Sequence, residues 1–138
     1  MSLDLSSLEK AIDALRLSVT ESVPRLPELP EPIRETLKAG VIQQFEVAYE
    51  QGWKLMRRWI AENVGAETVD GVPRRELFRR AAESGLIRDV DRWMDFHRAR
   101  NETSHTYSST TANEVFTLAV HFLPAAESLL SALRIRNN

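Results

Sequence analysis

Val41-Ile42-Gln43-Gln44-Phe45-Glu46-Val47-Ala48-Tyr49-Glu50-Gln51-Gly52-Trp53-Lys54-Leu55-Met56-Arg57-Arg58-Trp59-Ile60 decides the fold. Val41, Phe45, Ala48, Tyr49, Trp53, Met56 and Ile60 recur at steps of three and four, the spacing of one apolar stripe on an α-helix. The pattern predicts a helix from about Ile33 to Asn63, which at ~1.5 Å per residue would span about 45 Å. Gly40 and Gly52 weaken it locally, each by up to ~1 kcal/mol relative to alanine. Gly52 lies where a missing side chain permits a close crossing by another element. Glu46 and Lys54 flank the stripe, and a charge at the edge of a buried face needs a partner.

The neighbouring segments are helical as well. Leu5, Leu8, Ile12, Leu15 and Val19 form a first stripe, with Asp4 placed to cap it. Residues 23–32 contain Pro24, Pro27, Pro30 and Pro32 and are expected to be an extended connection. Residues 64–71 form a turn region between the central helix and a third helix, which Pro73 starts and Gly85 ends, with Leu77, Phe78 and Ala81 facing inward. Asp89 suits the cap of a fourth helix carrying Val90, Trp93 and Met94 inward, with His97 at a core-spaced position. Thr111 and Glu114 have capping-box spacing for a fifth. Its stripe is Val115, Leu118, Ala119, Phe122, Ala126, Leu129, Leu130 and Leu133, with His121 also at core spacing. Pro124 should bend this helix or free a carbonyl. No strand pattern or repeat appears. The expectation is a single all-α domain over residues 1–138, an up-down bundle of about five helices.

The totals narrow the function. A chain of 138 residues suits one domain, and 43% apolar with 28% charged residues is the balance of a soluble protein. The absence of cysteine excludes disulfides and thiolate metal sites and fits the cytoplasm. Met1-Ser2-Leu3-Asp4 does not read as a signal peptide, and no apolar stretch reads as a membrane span. No His/Asp/Glu grouping has metal-ligand spacing, so no metal or cofactor is expected. No glycine-rich phosphate loop is present, so the chain does not read as a nucleotidyltransferase itself.

A net charge of −2 argues against indiscriminate coating of nucleic acid, but the charge is uneven. Residues 1–53 carry five basic and nine acidic groups, whereas residues 54–100 carry eleven basic and eight acidic ones. Ten of those eleven cations are arginine, which suits two-pronged phosphate contact. Solvated helix faces with ion pairs, such as Arg75 and Arg79 with Glu76 and Glu83, account for most of them.

Arg100-Asn101-Glu102-Thr103-Ser104-His105-Thr106-Tyr107 concentrates the chemistry. A guanidinium can grip a phosphate, an imidazole can move a proton near neutral pH, and a phenol can donate a hydrogen bond or be modified. On an unbroken helix Arg100 and His105 would point about 140° apart. The helix is therefore expected to end near Asn101–Ser104, where hydroxyls compete for backbone partners. Asn101 and Ser104 could support that bend. Tyr107 could equally be a core-edge residue with a bonded hydroxyl.

Arg100, His105 and Tyr107 resemble the Arg-x4-6-His motif of HEPN domains in its His-x-Tyr form. The stretch Gln44 to Lys54, together with Trp93 to Tyr107, is similar to the bacterial nucleotidyltransferase substrate-binding family, and the similarity covers most of the chain. The resemblance implies a homodimeric helical bundle and a separate minimal nucleotidyltransferase as partner. Two functions follow from it. One is a metal-independent ribonuclease, the toxin of a toxin–antitoxin pair, silenced when the partner adds AMP to the motif tyrosine. The other is a non-catalytic subunit presenting a substrate to the transferase. In the first, Arg100 and His105 would be catalytic on an RNA substrate and Tyr107 the modified residue.

Overall fold

The central helix is continuous from Glu31 to Asn63, 33 residues, and is termed α2. The computed structural model describes residues 2–105 and 108–137, with the backbone alone at His105. Among the described residues four further α-helices surround α2: α1 (Ser6–Leu17), α3 (Arg74–Glu83), α4 (Val90–Glu102) and α5 (Ser109–Arg136). Among the described residues there is no strand. α2 begins two residues earlier than its stripe predicts because Pro32 sits in its first turn, where a missing N–H removes no helical hydrogen bond.

The predicted stripe is buried: Val41, Phe45, Ala48, Tyr49, Met56 and Ile60 are each at most 1% exposed. Trp53 is the exception and lies half-buried at the stripe's edge. α2 packs against α1 and α5, with α3 and α4 closing the remaining side. A Cβ added at Gly52 would lie 3.3 Å from Leu129 Cδ2 and 3.8 Å from Trp93 Cη2. The glycine thus admits side chains from α5 and α4 against the α2 backbone.

The connections depart from expectation. Residues 23–32 are mostly wound: a π-helical turn (Ser18–Ser22) runs into a 3-10 helix (Val23–Glu28), and only Leu29 and Pro30 are extended. A proline φ near −65° is compatible with 3-10 geometry, and Leu26 buries itself as the anchor. Asp4 is not the cap of α1, since that position is Leu5; its carboxylate accepts from the Ser6 N–H at 2.9 Å and the Ser6 hydroxyl at 2.6 Å. Asp89 does cap α4, accepting from the Arg92 N–H at 3.0 Å. Pro73 stands one residue ahead of α3. Gly85, at φ +77°, ends α3 in a left-handed turn in which the Leu86 N–H reaches the Ala81 carbonyl at 2.9 Å. The Thr111/Glu114 capping box does not form, because α5 already starts at Ser109 and those residues lie inside it.

α5 runs unbroken through Pro124, which leaves the Val120 carbonyl without its helical donor. Contrary to the sequence expectation, α5 is long and apolar enough to cross a bilayer. Its apolar face is instead the one that packs on α1, α2 and α4. His121 is exposed, off that face. Asn137 ties the two ends of the chain together, its amide accepting from the Leu3 N–H at 2.7 Å and donating to the Leu3 carbonyl at 2.9 Å.

Phe122 of α5 is the centre of the aromatic core. Its ring lies 5.3 Å from Phe45, 6.1 Å from Tyr49, 5.3 Å from Trp93 and 5.0 Å from Phe96, all near edge-on. Such pairs each add about 0.5–1.5 kcal/mol beyond area burial. Phe122→Ala should cost ~3–5 kcal/mol of stability, read as a shift in the urea midpoint with little change in slope. A loss under about 1 kcal/mol would show that this cluster does not organise the bundle.

Candidate functional site

Trp93, Phe96 and Ala99 are the buried positions of α4. Their spacing leaves His97 and Arg100, each one residue on, at the margin facing α2. Glu46 and Glu50, four apart on α2, stand opposite. Arg100 Nη1 lies 3.5 Å from Glu46 Oε2, and its Nε lies 3.4 Å from Glu50 Oε1. The Nε is buried and makes no hydrogen bond, so charge rather than a two-pronged bond holds it there. Arg100 Nη1 donates to Thr103 Oγ1 at 3.2 Å, and the Thr103 hydroxyl donates to the Arg100 carbonyl at 2.8 Å. Thr103 thereby fastens the guanidinium to the helix end.

α4 stops at Glu102 and a 3-10 turn, Thr103–His105, follows. The helix thus ends where the competing hydroxyls predict. Ser104 is exposed within the turn. The His105 side chain and Tyr107 lie outside the described residues. Asn101 reaches toward His97 rather than across the bend, its amide 3.4 Å from His97 Nε2.

That contact belongs to a second polar cluster, adjoining the first and not anticipated from the sequence. Tyr49 is fully buried, and its hydroxyl points toward Arg74 of α3 and His97 of α4. Arg74 Nη1, from the start of α3, donates to that hydroxyl at 2.7 Å, and the hydroxyl lies 2.9 Å from His97 Nδ1. Arg74 Nη1 also lies 3.4 Å from His97 Nδ1. Its guanidinium is stacked on Trp53, 3.7 Å from the ring centroid. Burial pushes the Tyr49 phenol up to about 12 against the opposing pull of Arg74, so it keeps its proton. Two donors face His97 Nδ1 and make that nitrogen the acceptor, and on the far side of the ring Nε2 lies 3.4 Å from the Asn101 Nδ2. The available signal was Tyr49 itself, a stripe residue whose buried end needs a hydrogen-bond partner.

The flanking charges are paired. Lys54 lies 3.7 Å from Glu50. Of the pairs expected on α3, Arg79 meets Glu76 at 3.7 Å, but Arg75 meets Asp91 of α4 at 3.0 Å. Among the described residues no group of three His, Asp or Glu side chains is placed to hold a metal.

The chain is similar to known proteins along nearly its whole length. The family model described as nucleotidyltransferase substrate binding protein like matches residues 3–135. The chain is 33% identical over 138 residues to the probable ribonuclease HepT of Haemophilus influenzae, covering 98% of this chain and 94% of that one. A solved H. influenzae structure, described as revealing the fold of a substrate binding domain of a nucleotidyltransferase, superposes with a TM-score of 0.88 at 30% identity, covering 95% of this chain and 99% of that one. A crystal structure from Thermus thermophilus superposes with a TM-score of 0.72 at 26% identity, covering 92% of this chain and 98% of that one.

His97 makes stability depend on pH. Burial first, then the nearby Arg74, hold its imidazole below the ordinary value, while Glu50 opposes and Arg98 adds to the shift. The folded protein resists a proton that the unfolded chain accepts. This contribution is therefore complete above the unfolded value of about 6.5 and is lost as pH falls through the folded value. Urea midpoints measured from pH 7.5 to about 5.5 should fall, and His97→Gln should flatten that fall. Equal slopes for the two proteins would contradict the assignment.

Proposed function

The chain belongs to the nucleotidyltransferase substrate binding protein like family, and from that premise we propose that it is a metal-independent endoribonuclease, the toxin of a pair whose antitoxin is a minimal nucleotidyltransferase. Arg100 carries the reading: its guanidinium is held at the end of α4, five residues ahead of His105, with the helix broken between them. The name of the H. influenzae relative, probable ribonuclease HepT, supports the same class.

RNA brings its own nucleophile. The ribose 2′-oxygen loses its proton and bonds to the adjacent phosphorus. The bond from phosphorus to the 5′-oxygen breaks, and that oxygen takes up a proton. The products are a 2′,3′-cyclic phosphate and a 5′-hydroxyl. His105 serves the proton transfers and Arg100 the charge that builds on the phosphorane. Both transfers on one imidazole are better served by two, so the active unit is a homodimer that brings two Arg100–Tyr107 segments together. The setting is the cytoplasm, where RNA and ATP are both present.

The Tyr107 phenol lies two residues beyond His105. AMP attached there adds bulk and negative charge, which would occupy the phosphate site and repel RNA. A transferase that merely binds would neutralise without modification, and that outcome would favour the substrate-binding-subunit reading.

Two experiments follow. Arg100→Ala and His105→Ala should each abolish RNA cleavage and growth toxicity while circular dichroism stays helical. EDTA should leave the parent's cleavage unchanged, and light scattering should report a dimer. Cleavage that needs added magnesium, or survives in His105→Ala, refutes the mechanism. Separately, co-expression with the partner transferase and ATP should add one AMP mass to the Tyr107 peptide and none to Tyr107→Phe. Complete neutralisation with Tyr107 unmodified would remove the modification step.

A further inference from the structure

The arginine of the motif is electrostatically outnumbered. Arg100 faces the carboxylates of both Glu46 and Glu50, so an approaching phosphodiester meets no net positive charge there. Arg74 is in the opposite state. It is half-buried, stacked on Trp53 and bonded to the Tyr49 hydroxyl, and among the described residues it has no ion pair. A guanidinium held by an indole face and a phenol, with no carboxylate to neutralise it, is preorganised to receive an anion.

The space for one is present. Arg74, His97, Trp53, Arg57 and Gly71 line an open cavity of about 390 Å³. It adjoins, across Trp53 and Arg57, a second depression lined by Lys54 and Arg58. Four cations border the two: Asp70 lies 3.6 Å from Arg57 and Glu50 3.7 Å from Lys54, while Arg74 and Arg58 have no ion pair among the described residues. His97 lines the cavity and lies three residues before Arg100 on α4, a rise of about 4.5 Å, so the cavity and Arg100 share one helix margin.

We propose that this cavity is an RNA phosphate subsite flanking the cleavage point, with Arg74 as its anchoring cation and Arg57 at its rim. The subsite rests on the ribonuclease reading for the identity of its ligand. It supplies the positive charge that the Arg100–Glu46–Glu50 group lacks. Tyr49 and Trp53 orient the Arg74 fork, and His97 stands beside it.

The test uses the full chain and a 2′-O-methyl RNA oligonucleotide, whose blocked nucleophile cannot be cleaved. Fluorescence anisotropy across a salt series should show Arg74→Gln binding at least about tenfold more weakly. The slope of log affinity against log salt should fall by about 0.7, the value of one single-strand phosphate contact. Arg74→Lys should recover part of the affinity, and Arg88→Gln, exposed on another face, should bind like the parent. A second measurement needs no variant: NMR titration of His97 in the unsubstituted protein should show its imidazole pKa rising when the oligonucleotide is bound, because a phosphate then faces the ring. Parent-like affinity and salt slope in Arg74→Gln, or a His97 titration unmoved by bound RNA, overturns the subsite and leaves the ribonuclease reading standing. Arg74-dependent binding without cleavage of unmodified RNA keeps the subsite and overturns the ribonuclease reading. Failure of the parent to bind overturns both.

Discussion

The buried phenol of Tyr49 is the constraint on which this protein turns. Its ring belongs to the aromatic core, 6.1 Å from Phe122 and 6.2 Å from Trp93. Its hydroxyl cannot be left there without a partner, because an unpaired buried polar group costs about 1–3 kcal/mol. Arg74 and His97 satisfy it, and in doing so α3 and α4 are fixed in phase against α2. The residue that packs the bundle is therefore also the residue that assembles the polar margin. Moving α4 by one residue would turn Arg100 away from Glu46 and Glu50 and break the Tyr49–His97 bond together.

Around that margin the cations are held in two ways. Arg100 is confined by two carboxylates at ion-pair distance, an arrangement that positions the group while contributing little to stability at partly exposed sites. Arg74 is confined by an aromatic face and a hydroxyl, neither of which cancels its charge. The first keeps a guanidinium in place at the end of α4, and the second keeps one available to an anion. Both depend on α2 presenting Glu46, Tyr49, Glu50 and Trp53 within two helical turns. The same short stretch that sets the fold thus also sets the electrostatics.

Much of this was legible because it is local. The 3.6-residue period of α2, the Asp89 cap, the left-handed Gly85 and the end of α4 near Thr103 all follow from interactions within a few residues. Glu46, a flanking charge in need of a partner, finds it in Arg100. The resemblance carried by Gln44–Lys54 and Trp93–Tyr107 identified the family, since both stretches combine core positions with the charged residues between them. The errors share a cause as well. The prolines of residues 23–32 forbid α-helix but not a 3-10 helix, and buried Leu26 draws that segment onto the bundle. The Thr111/Glu114 spacing was a valid cap signal that an earlier helix start overrode. His121 had core spacing yet lies on the open side of α5, because spacing alone does not say which side neighbouring helices cover.

By itself, then, the sequence determined five helices, their apolar faces, most of their ends and the motif at the end of α4, since each is written in the order of neighbouring residues. Tertiary structure alone decided that Arg74, Tyr49 and His97 meet, that Arg75 pairs with Asp91, and that Trp53 serves as a platform rather than a core residue. Those partners come from three helices separated by tens of residues. Their meeting depends on the relative rotation of α2, α3 and α4, which is set by how Phe45, Trp93, Phe96 and Phe122 interlock, and no spacing within one segment encodes that.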